Sequence, residues 1–156
     1  MVGDWHPQWI VVLGSMYAML LGGAIGFERE LKNRPAGFRT HMLVAGAAAL
    51  LVGLGPLILA NPAYNNGDGS VRLDPIRLVE ATITGVAFIG AGTIFSHRSK
   101  EHVAGITTAA SLLMVAVIGI VVALRYYMLA LLTTALTLLV LFALSWVERR
   151  VRRNTD

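Results

Sequence analysis

The sequence has no cysteine and few charged residues. Of its 156 residues, 14% are charged and 56% are hydrophobic, whereas an ordinary soluble domain has roughly 25% charged and about 45 to 50% apolar residues. The lack of cysteine excludes a disulfide framework, a thiolate metal site and a cysteine nucleophile. The low charge argues against a soluble domain, because a chain of this length cannot bury such long apolar runs in a core of its own.

Familiar catalytic motifs are missing as well. Neither Gly-Xaa-Ser-Xaa-Gly nor His-Glu-Xaa-Xaa-His occurs. The segment Gly90-Ala91-Gly92 lacks the Lys and Ser or Thr that follow in a phosphate-binding loop. Basic residues flank apolar runs instead of following one amphipathic face, which argues against a nucleic-acid partner. We therefore expect no catalytic residues, no enzyme activity and no cofactor, apart from the Mg²⁺ considered below.

Five apolar segments approach the length of about 20 residues that a helix needs to cross the hydrocarbon layer. They cover residues 9–27, 40–60, 75–95, 103–124 and 128–146. Asp74 and Pro75 are residue types favoured at a helix N-cap and first turn, and Pro35 suggests a similar start for the second helix. Pro56 suggests a bend or an end in that helix. The pattern predicts an all-α integral membrane protein, a bundle of five transmembrane helices.

Lys and Arg are distributed unevenly over the connecting segments, and such residues accumulate on the cytoplasmic side of a membrane. An outside amino terminus places ten basic residues on the cytoplasmic side and three outside. The ten are Arg29, Lys32, Arg34, Arg39, Arg98, Lys100, Arg149, Arg150, Arg152 and Arg153, and the three are Arg72, Arg77 and Arg125. The distribution predicts an outside amino terminus and a cytoplasmic carboxyl terminus. Residues 1–147 then form the transmembrane domain, and residues 148–156 a basic cytoplasmic tail next to membrane lipids.

Five polar residues gather where the first helix leaves the membrane: Glu28, Arg29, Arg34, Arg39 and Thr40. A charge near hydrocarbon is costly unless it is paired, hydrated or extended to the surface. A Glu28–Arg39 ion pair across the turn and separately solvated charges are both open. We take these five residues as a candidate functional polar cluster.

A second charged group lies on the outer side, at the start of the third helix. Arg77 and Glu80 are three residues apart, so they can meet on one helix face. The alternative is that Asp74, Glu80 and Asp68 offer oxygens to a hydrated divalent cation, since Mg²⁺ prefers carboxylate and water oxygens. Asp74, Arg77 and Glu80 are therefore a candidate ion-pair or cation site, and the identity of any metal is open.

Small residues recur in the apolar segments at spacings that let helices approach closely in lipid. The candidate packing positions are Gly22, Gly26, Gly85, Gly90, Gly92, Gly105 and Ala109. Each serves either packing within one chain or a seam between copies. Because there are so many, we expect at least one intermolecular contact and a homo-oligomer, with a dimer as the simplest form.

Three groups of motifs, in order, resemble the signature of the MgtC/SapB family of bacterial inner-membrane proteins. They are Gly26-Phe27-Glu28-Arg29-Glu30 with Arg34-Pro35-Ala36-Gly37-Phe38-Arg39-Thr40-His41, then Asp74-Pro75-Ile76-Arg77 with Gly85-Val86-Ala87-Phe88-Ile89-Gly90-Ala91-Gly92, then Gly105-Ile106-Thr107-Thr108-Ala109-Ala110-Ser111. The resemblance covers about residues 20–120. It implies a multi-pass inner-membrane protein linked to magnesium limitation, acid stress and virulence. It also implies a regulator that restrains the proton-translocating ATP synthase, although larger relatives add a cytoplasmic domain that we expect to be absent here.

Two functional hypotheses follow. The first is a non-enzymatic membrane regulator that acts through helix contacts, either as a homo-oligomer or on a membrane complex such as the ATP synthase. The second is an oligomeric transporter or channel for magnesium, another cation or a small solute. In the second, Glu28, Arg39, Glu80 and the hydroxyls of the third and fourth helices line a path.

Overall fold

The computed structural model describes residues 5–61, 74–96 and 105–152, with side chains described for residues 7–61, 74–95 and 105–143. Within these ranges the chain forms five α-helices and no strand, which confirms the predicted all-α class. The helices are α1 (Trp5–Leu31), α2 (Phe38–Ala60), α3 (Pro75–Ser96), α4 (Ile106–Ala123) and α5 (Tyr127–Arg152).

Four of the helices are long and apolar enough to cross a membrane. These segments are Pro7–Leu31, Phe38–Ala60, Pro75–Phe95 and Ile106–Ala123. In α5 the part with described side chains is Tyr127–Ala143, which is also apolar. A span needs about 20 residues, so length and composition support at least four spans among the described residues. A fifth span and the outside position of the amino terminus stay predictions.

The helix starts agree with the sequence at α3 but not at α2. Oδ1 of Asp74 accepts a hydrogen bond from the Ile76 N–H at 2.9 Å, so Asp74 caps α3 as predicted. Pro35 does not begin α2, because it lies in the turn before the helix. Oε2 of Glu30 instead accepts the N–H of Phe38 at 2.8 Å, so a side chain from α1 binds the first N–H of α2.

Of the bend or end that Pro56 suggested, the end is not found, since α2 continues to Ala60. Proline has no N–H to donate to the carbonyl four residues earlier, which here belongs to Val52. One missing hydrogen bond near the end of a long apolar helix is tolerated when the packing on either side is retained. Val52 and Gly55, which flank this point, are both buried.

Helix α2 lies between α1 and α4, and glycines make both contacts close. A Cβ added at Gly22 of α1 would lie 2.7 Å from the carbonyl oxygen of His41, and one at Gly26 would lie 2.8 Å from the Phe38 Cα. A Cβ at Gly119 of α4 would collide with the carbonyl oxygen of Ala45. The three helices therefore form a central unit, with α3 against α2 and α4 and α5 against α1 and α4.

Four helices meet at one end of the bundle, which we call the basic end: the end of α1, the starts of α2 and α4, and the Leu141 region of α5. Nζ of Lys32 on α1 donates to the carbonyl of Leu141 at 3.1 Å. His41 of α2 contacts Ser111 of α4. The helices thus alternate in direction, as consecutive membrane spans must. The side of the membrane that the basic end faces stays a prediction.

Candidate functional site

Polar side chains are buried at the basic end, where α1, α2 and α4 meet. Glu28 and Arg29 are 2% and 3% exposed, and His41 is fully buried. Thr108 and Ser111 of α4 are buried beside them. Ionisable groups inside a membrane protein are rare and mark functional sites by default. Two members of the predicted polar cluster, Glu28 and Arg29, therefore lie in the core of the bundle.

Glu28 is paired within its own helix. Its Oε1 contacts Nζ of Lys32, one turn further along α1. Nζ of Lys32 also lies 5.4 Å from the centre of the Phe142 ring, a distance at which a cation is attracted to an aromatic face. Oε2 of Glu28 has no hydrogen-bond partner among the described residues.

Of the two alternatives left open for Glu28 and Arg39, an ion pair or separate solvation, neither describes Glu28, which pairs with Lys32. Arg39 is exposed on the first turn of α2. Residues two apart on a helix lie about 200° apart around its axis, and His41 points into the bundle toward α1 and α4. Arg39 consequently points away from Glu28.

Arg29 is a buried cation without a carboxylate partner among the described residues. Its Nη2 donates to Oγ1 of Thr108 at 3.4 Å, a long hydrogen bond, and its Nε has no described partner. Beside it is a cavity of about 270 Å³, which we call the arginine cavity. Arg29, Asn33 and Arg34 line one side, and Thr107 and Thr108 at the start of α4 line the other.

His41 connects α2 to α4. Its Nδ1 donates to the carbonyl of Gly37 at 2.9 Å, so in the neutral imidazole Nε2 is an acceptor. The Ser111 hydroxyl lies 2.9 Å from that Nε2 and 2.8 Å from the carbonyl oxygen of Thr108. A hydroxyl has one proton, so Ser111 donates to one of these two acceptors at a time.

The remaining residues of the predicted polar cluster lie nearer the surface. Arg34 is exposed and lines the arginine cavity, and Thr40 is half-buried. The cluster is therefore divided between a buried part, Glu28 and Arg29, and a surface part that includes Arg39.

The second candidate site, at the start of α3, is exposed. Nε of Arg77 lies 4.0 Å from Oδ2 of Asp74, at the limit of an ion pair, so Asp74 takes the place expected for Glu80. Exposed pairs of this kind contribute about 0 to 1 kcal/mol. Among the described residues no three potential ligands lie close enough to hold a metal ion. Asp68, the third proposed ligand, lies outside the described residues.

The predicted packing residues divide into two groups. Gly22 and Gly26 contact α2, and a Cβ added at Gly90 would lie 3.3 Å from the Cβ of Ala109, so α3 meets α4 there. Gly105 has φ +97°, a conformation that favours glycine, and it precedes the first residue of α4. In contrast, a Cβ at Gly85 or Gly92 would meet nothing within 4 Å.

Lys32 and His41 of the buried site were not singled out from the sequence as site residues, and Ser111 was considered only among the hydroxyls of the third and fourth helices. Lys32 lies four residues after Glu28, and this spacing is a known helix ion pair. His41 and Ser111 each place a polar side chain in an apolar run, which is a usable signal, but their pairing depends on how α2 packs against α4. That packing depends on the close approach of the two helices at Gly119. The spacing of residues in the sequence does not predict that approach.

Comparisons with known proteins find relatives along most of the chain. The model of the MgtC family matches residues 16–150. Protein SapB of Bacillus subtilis is 32% identical over 97% of this chain and 63% of its own length. Protein SrpB of Synechococcus elongatus is 35% identical over 94% of this chain and 80% of its own length.

A third relative is the putative magnesium transporter YhiD of Escherichia coli, 35% identical over 83% of this chain and 58% of its own length. The chain spans less than two thirds of the length of SapB and of YhiD. No solved structure was found to match. Because the family model matches most of the chain and its relatives are similar along nearly its whole length, the chain belongs to the MgtC family.

Proposed function

We propose that the chain is a non-enzymatic regulator in the bacterial inner membrane that acts through helix contacts with a partner protein in the bilayer. The observation that carries this proposal is an exposed face of α3. This face, which we call the α3 open face, consists of Ala81, Gly85, Phe88 and Gly92. Their spacings of four, three and four residues place them on one side of a helix.

The α3 open face has features of a helix-docking surface. All four residues are exposed, and Phe88 is 82% exposed. Glycine inside a helix costs about 1 kcal/mol relative to alanine, and at Gly22, Gly26 and Gly119 close helix contacts account for it. Gly85 and Gly92 have no such contact with the residues that the structure describes. In lipid, small residues favour association because they allow two backbones to approach.

The neighbouring surface is also suited to a helix. An apolar groove of about 370 Å³ runs between α2 and α3, with Leu43 and Ala47 on one wall and Ala81 and Gly85 on the other. A ridge of side chains from a partner helix fits a groove of this kind. The family resemblance supports the proton-translocating ATP synthase as the partner complex. It also supports magnesium limitation, acid stress and virulence as the conditions of use.

The second candidate function is cation transport. In its favour are the printed name of the E. coli relative, a putative magnesium transporter, and the buried charges at the basic end. Against a path through one chain, the hydroxyls of Thr82, Thr84 and Thr93 donate to backbone carbonyls of α3. Among the described helices, α1 does not contact α3, so Glu28 and Glu80 do not line a common path. Transport would therefore require an oligomer.

The regulator proposal is tested by placing a large side chain on the α3 open face. Gly85→Leu is compared with Ala135→Leu, which adds the same bulk at an exposed position of α5. Tagged chains are extracted from their native membrane in mild detergent, and partners are identified by native mass spectrometry. We expect Gly85→Leu to reduce partner recovery about tenfold, since overpacking a contact costs about 1 to 3 kcal/mol.

Ala135→Leu should leave partner recovery unchanged. Recovery of the wild-type chain as monomer alone, or equal recovery with both variants, would rule out the open face as the docking surface. The transport alternative is checked separately in proteoliposomes with magnesium, proton and potassium gradients. Solute-dependent flux that Gly85→Leu leaves intact would favour transport over regulation.

A further inference from the structure

We propose that the arginine cavity binds a phosphate group. This inference goes beyond the regulator proposal and does not depend on it, because the cavity lies between α1 and α4 and the docking surface lies on α3. The cavity is at the basic end. The end of α1, the turn after it and the start of α4 surround it.

The charges that line the cavity favour an anion. Arg29 and Arg34 both line it, and no Asp or Glu is among its described lining residues. Glu28, its neighbour along the chain, attracts Arg29 electrostatically but makes its ion pair with Lys32. A buried cation without a contacting counter-ion is unfavourable, so an anion in the cavity would supply the contact partner that Arg29 lacks in the described part of the chain.

The start of α4 adds hydrogen-bond donors of the right kind. The first N–H groups of a helix have no partners within the helix, and they carry a partial positive charge. Gly105, the N-cap residue, has no side chain to accept from them. Thr107 and Thr108 line the same wall. Helix starts of this type bind phosphate groups in many proteins.

The guanidinium of Arg29 is the second, independent sign of a ligand. The residue is 3% exposed and lines the cavity, its Nε is buried without a described partner, and its Nη2 makes one long hydrogen bond of 3.4 Å. The planar fork of arginine matches phosphate oxygens. The volume of about 270 Å³ is several times the roughly 30 Å³ that one water molecule occupies in the liquid, so a tetrahedral oxyanion fits.

Two sources of a phosphate group are compatible with this position. Basic pockets between helix ends bind the headgroups of anionic lipids, and the same donors bind free inorganic phosphate. Both ligands present the same tetrahedral anionic group to Arg29, Arg34 and the start of α4. The experiment distinguishes them.

The test uses the full chain and the variant Arg34→Gln, because Arg34 is exposed and its replacement should not disturb the fold. The matched control is Arg39→Gln, which removes an equal charge from an exposed arginine that does not line the cavity. Binding of inorganic phosphate is measured by calorimetry in an uncharged detergent. Retention of phosphatidylglycerol is measured by native mass spectrometry from nanodiscs of phosphatidylcholine and phosphatidylglycerol.

We expect one bound phosphate group per chain, with affinity reduced about tenfold by Arg34→Gln, as for loss of one charge-assisted hydrogen bond. Arg39→Gln should leave the affinity unchanged. Binding in the calorimeter identifies a free-phosphate site, and selective retention of phosphatidylglycerol alone identifies a lipid site. Binding of neither probe, or equal weakening by both variants, would overturn the proposal. Gly85→Leu should not alter this binding, so the two proposals fail independently.

Discussion

Nε2 of His41 lies 2.9 Å from Oγ of Ser111, and this contact joins α2 to α4 across 70 residues of sequence. Both side chains are buried, so neither exchanges its partner for water. A contact between two buried polar groups specifies the relative position of two helices more narrowly than apolar packing does, since a shifted helix would leave Nε2 of His41 unsatisfied.

Ser111→Ala should destabilise the protein by about 1 to 3 kcal/mol, because it removes the hydroxyl that faces Nε2 of His41. The control is Thr84→Val, at an exposed position where the hydroxyl donates only to the carbonyl of Glu80 in the same helix. That change should cost under about 0.5 kcal/mol. Chemical unfolding in mild detergent, followed by circular dichroism, measures both. Equal stability of the two variants would argue against a structural role for the His41–Ser111 contact.

Lys32→Met should destabilise the fold by about 3 kcal/mol, because it leaves the Glu28 carboxylate buried without its cation. Arg39→Met removes a charge of the same sign from an exposed position and should cost under about 0.5 kcal/mol. Thermal unfolding of the purified variants compares the two.

Glu28→Gln combined with Lys32→Met should recover part of the stability lost in Lys32→Met. In the double variant neither member of the Glu28–Lys32 pair is left as a buried charge without the other, so the two changes are not additive. A double variant that is as unstable as the sum of both single variants would show that the two side chains act separately.

Gly119→Ala should destabilise the protein by about 1 to 3 kcal/mol, because its methyl group collides with the backbone carbonyl of Ala45. Gly92→Ala is the matched change at a position with nothing within 4 Å of an added Cβ. It should be neutral or stabilise α3 by up to about 1 kcal/mol, since alanine is the better helix former. The fraction of each variant that stays folded after heating in detergent ranks the two variants. The reverse order would contradict the close approach of α2 and α4.

Replacing Asp74 separates its capping role from a role in cation binding. Asn caps a helix about as well as Asp, so Asp74→Asn should leave stability almost unchanged, whereas Asp74→Ala should cost about 1 kcal/mol. A Mg²⁺ site would instead be weakened by both changes, because both remove a carboxylate. Unfolding with and without Mg²⁺ tests this, and a Mg²⁺-dependent stabilisation lost in both variants would support the cation site.

The helices were predictable because each depends on a local pattern. Each of α1 to α4 corresponds to an apolar run of spanning length, and Asp74 with Pro75 indicates the start of α3. The start of α2 was missed because the acceptor for the Phe38 N–H is Glu30, on a different helix. The same limit applies to the site, where Glu28 and Arg29 were identified by charge next to an apolar run. Their partners, and the contact between His41 and Ser111, depend on which helix faces pack together.

The 70 residues between His41 and Ser111 also impose an order in time. Synthesis proceeds from the amino terminus at about 5 to 20 residues per second, so Ser111 is made roughly 4 to 14 s after His41. During that interval α1 and α2 already exist, whereas the helix that carries the partner of Nε2 does not. A chain that stops before α4 therefore leaves Nε2 of His41 without Ser111 and leaves uncovered the flank of α2 where Ala45 and Ala48 would meet Gly119.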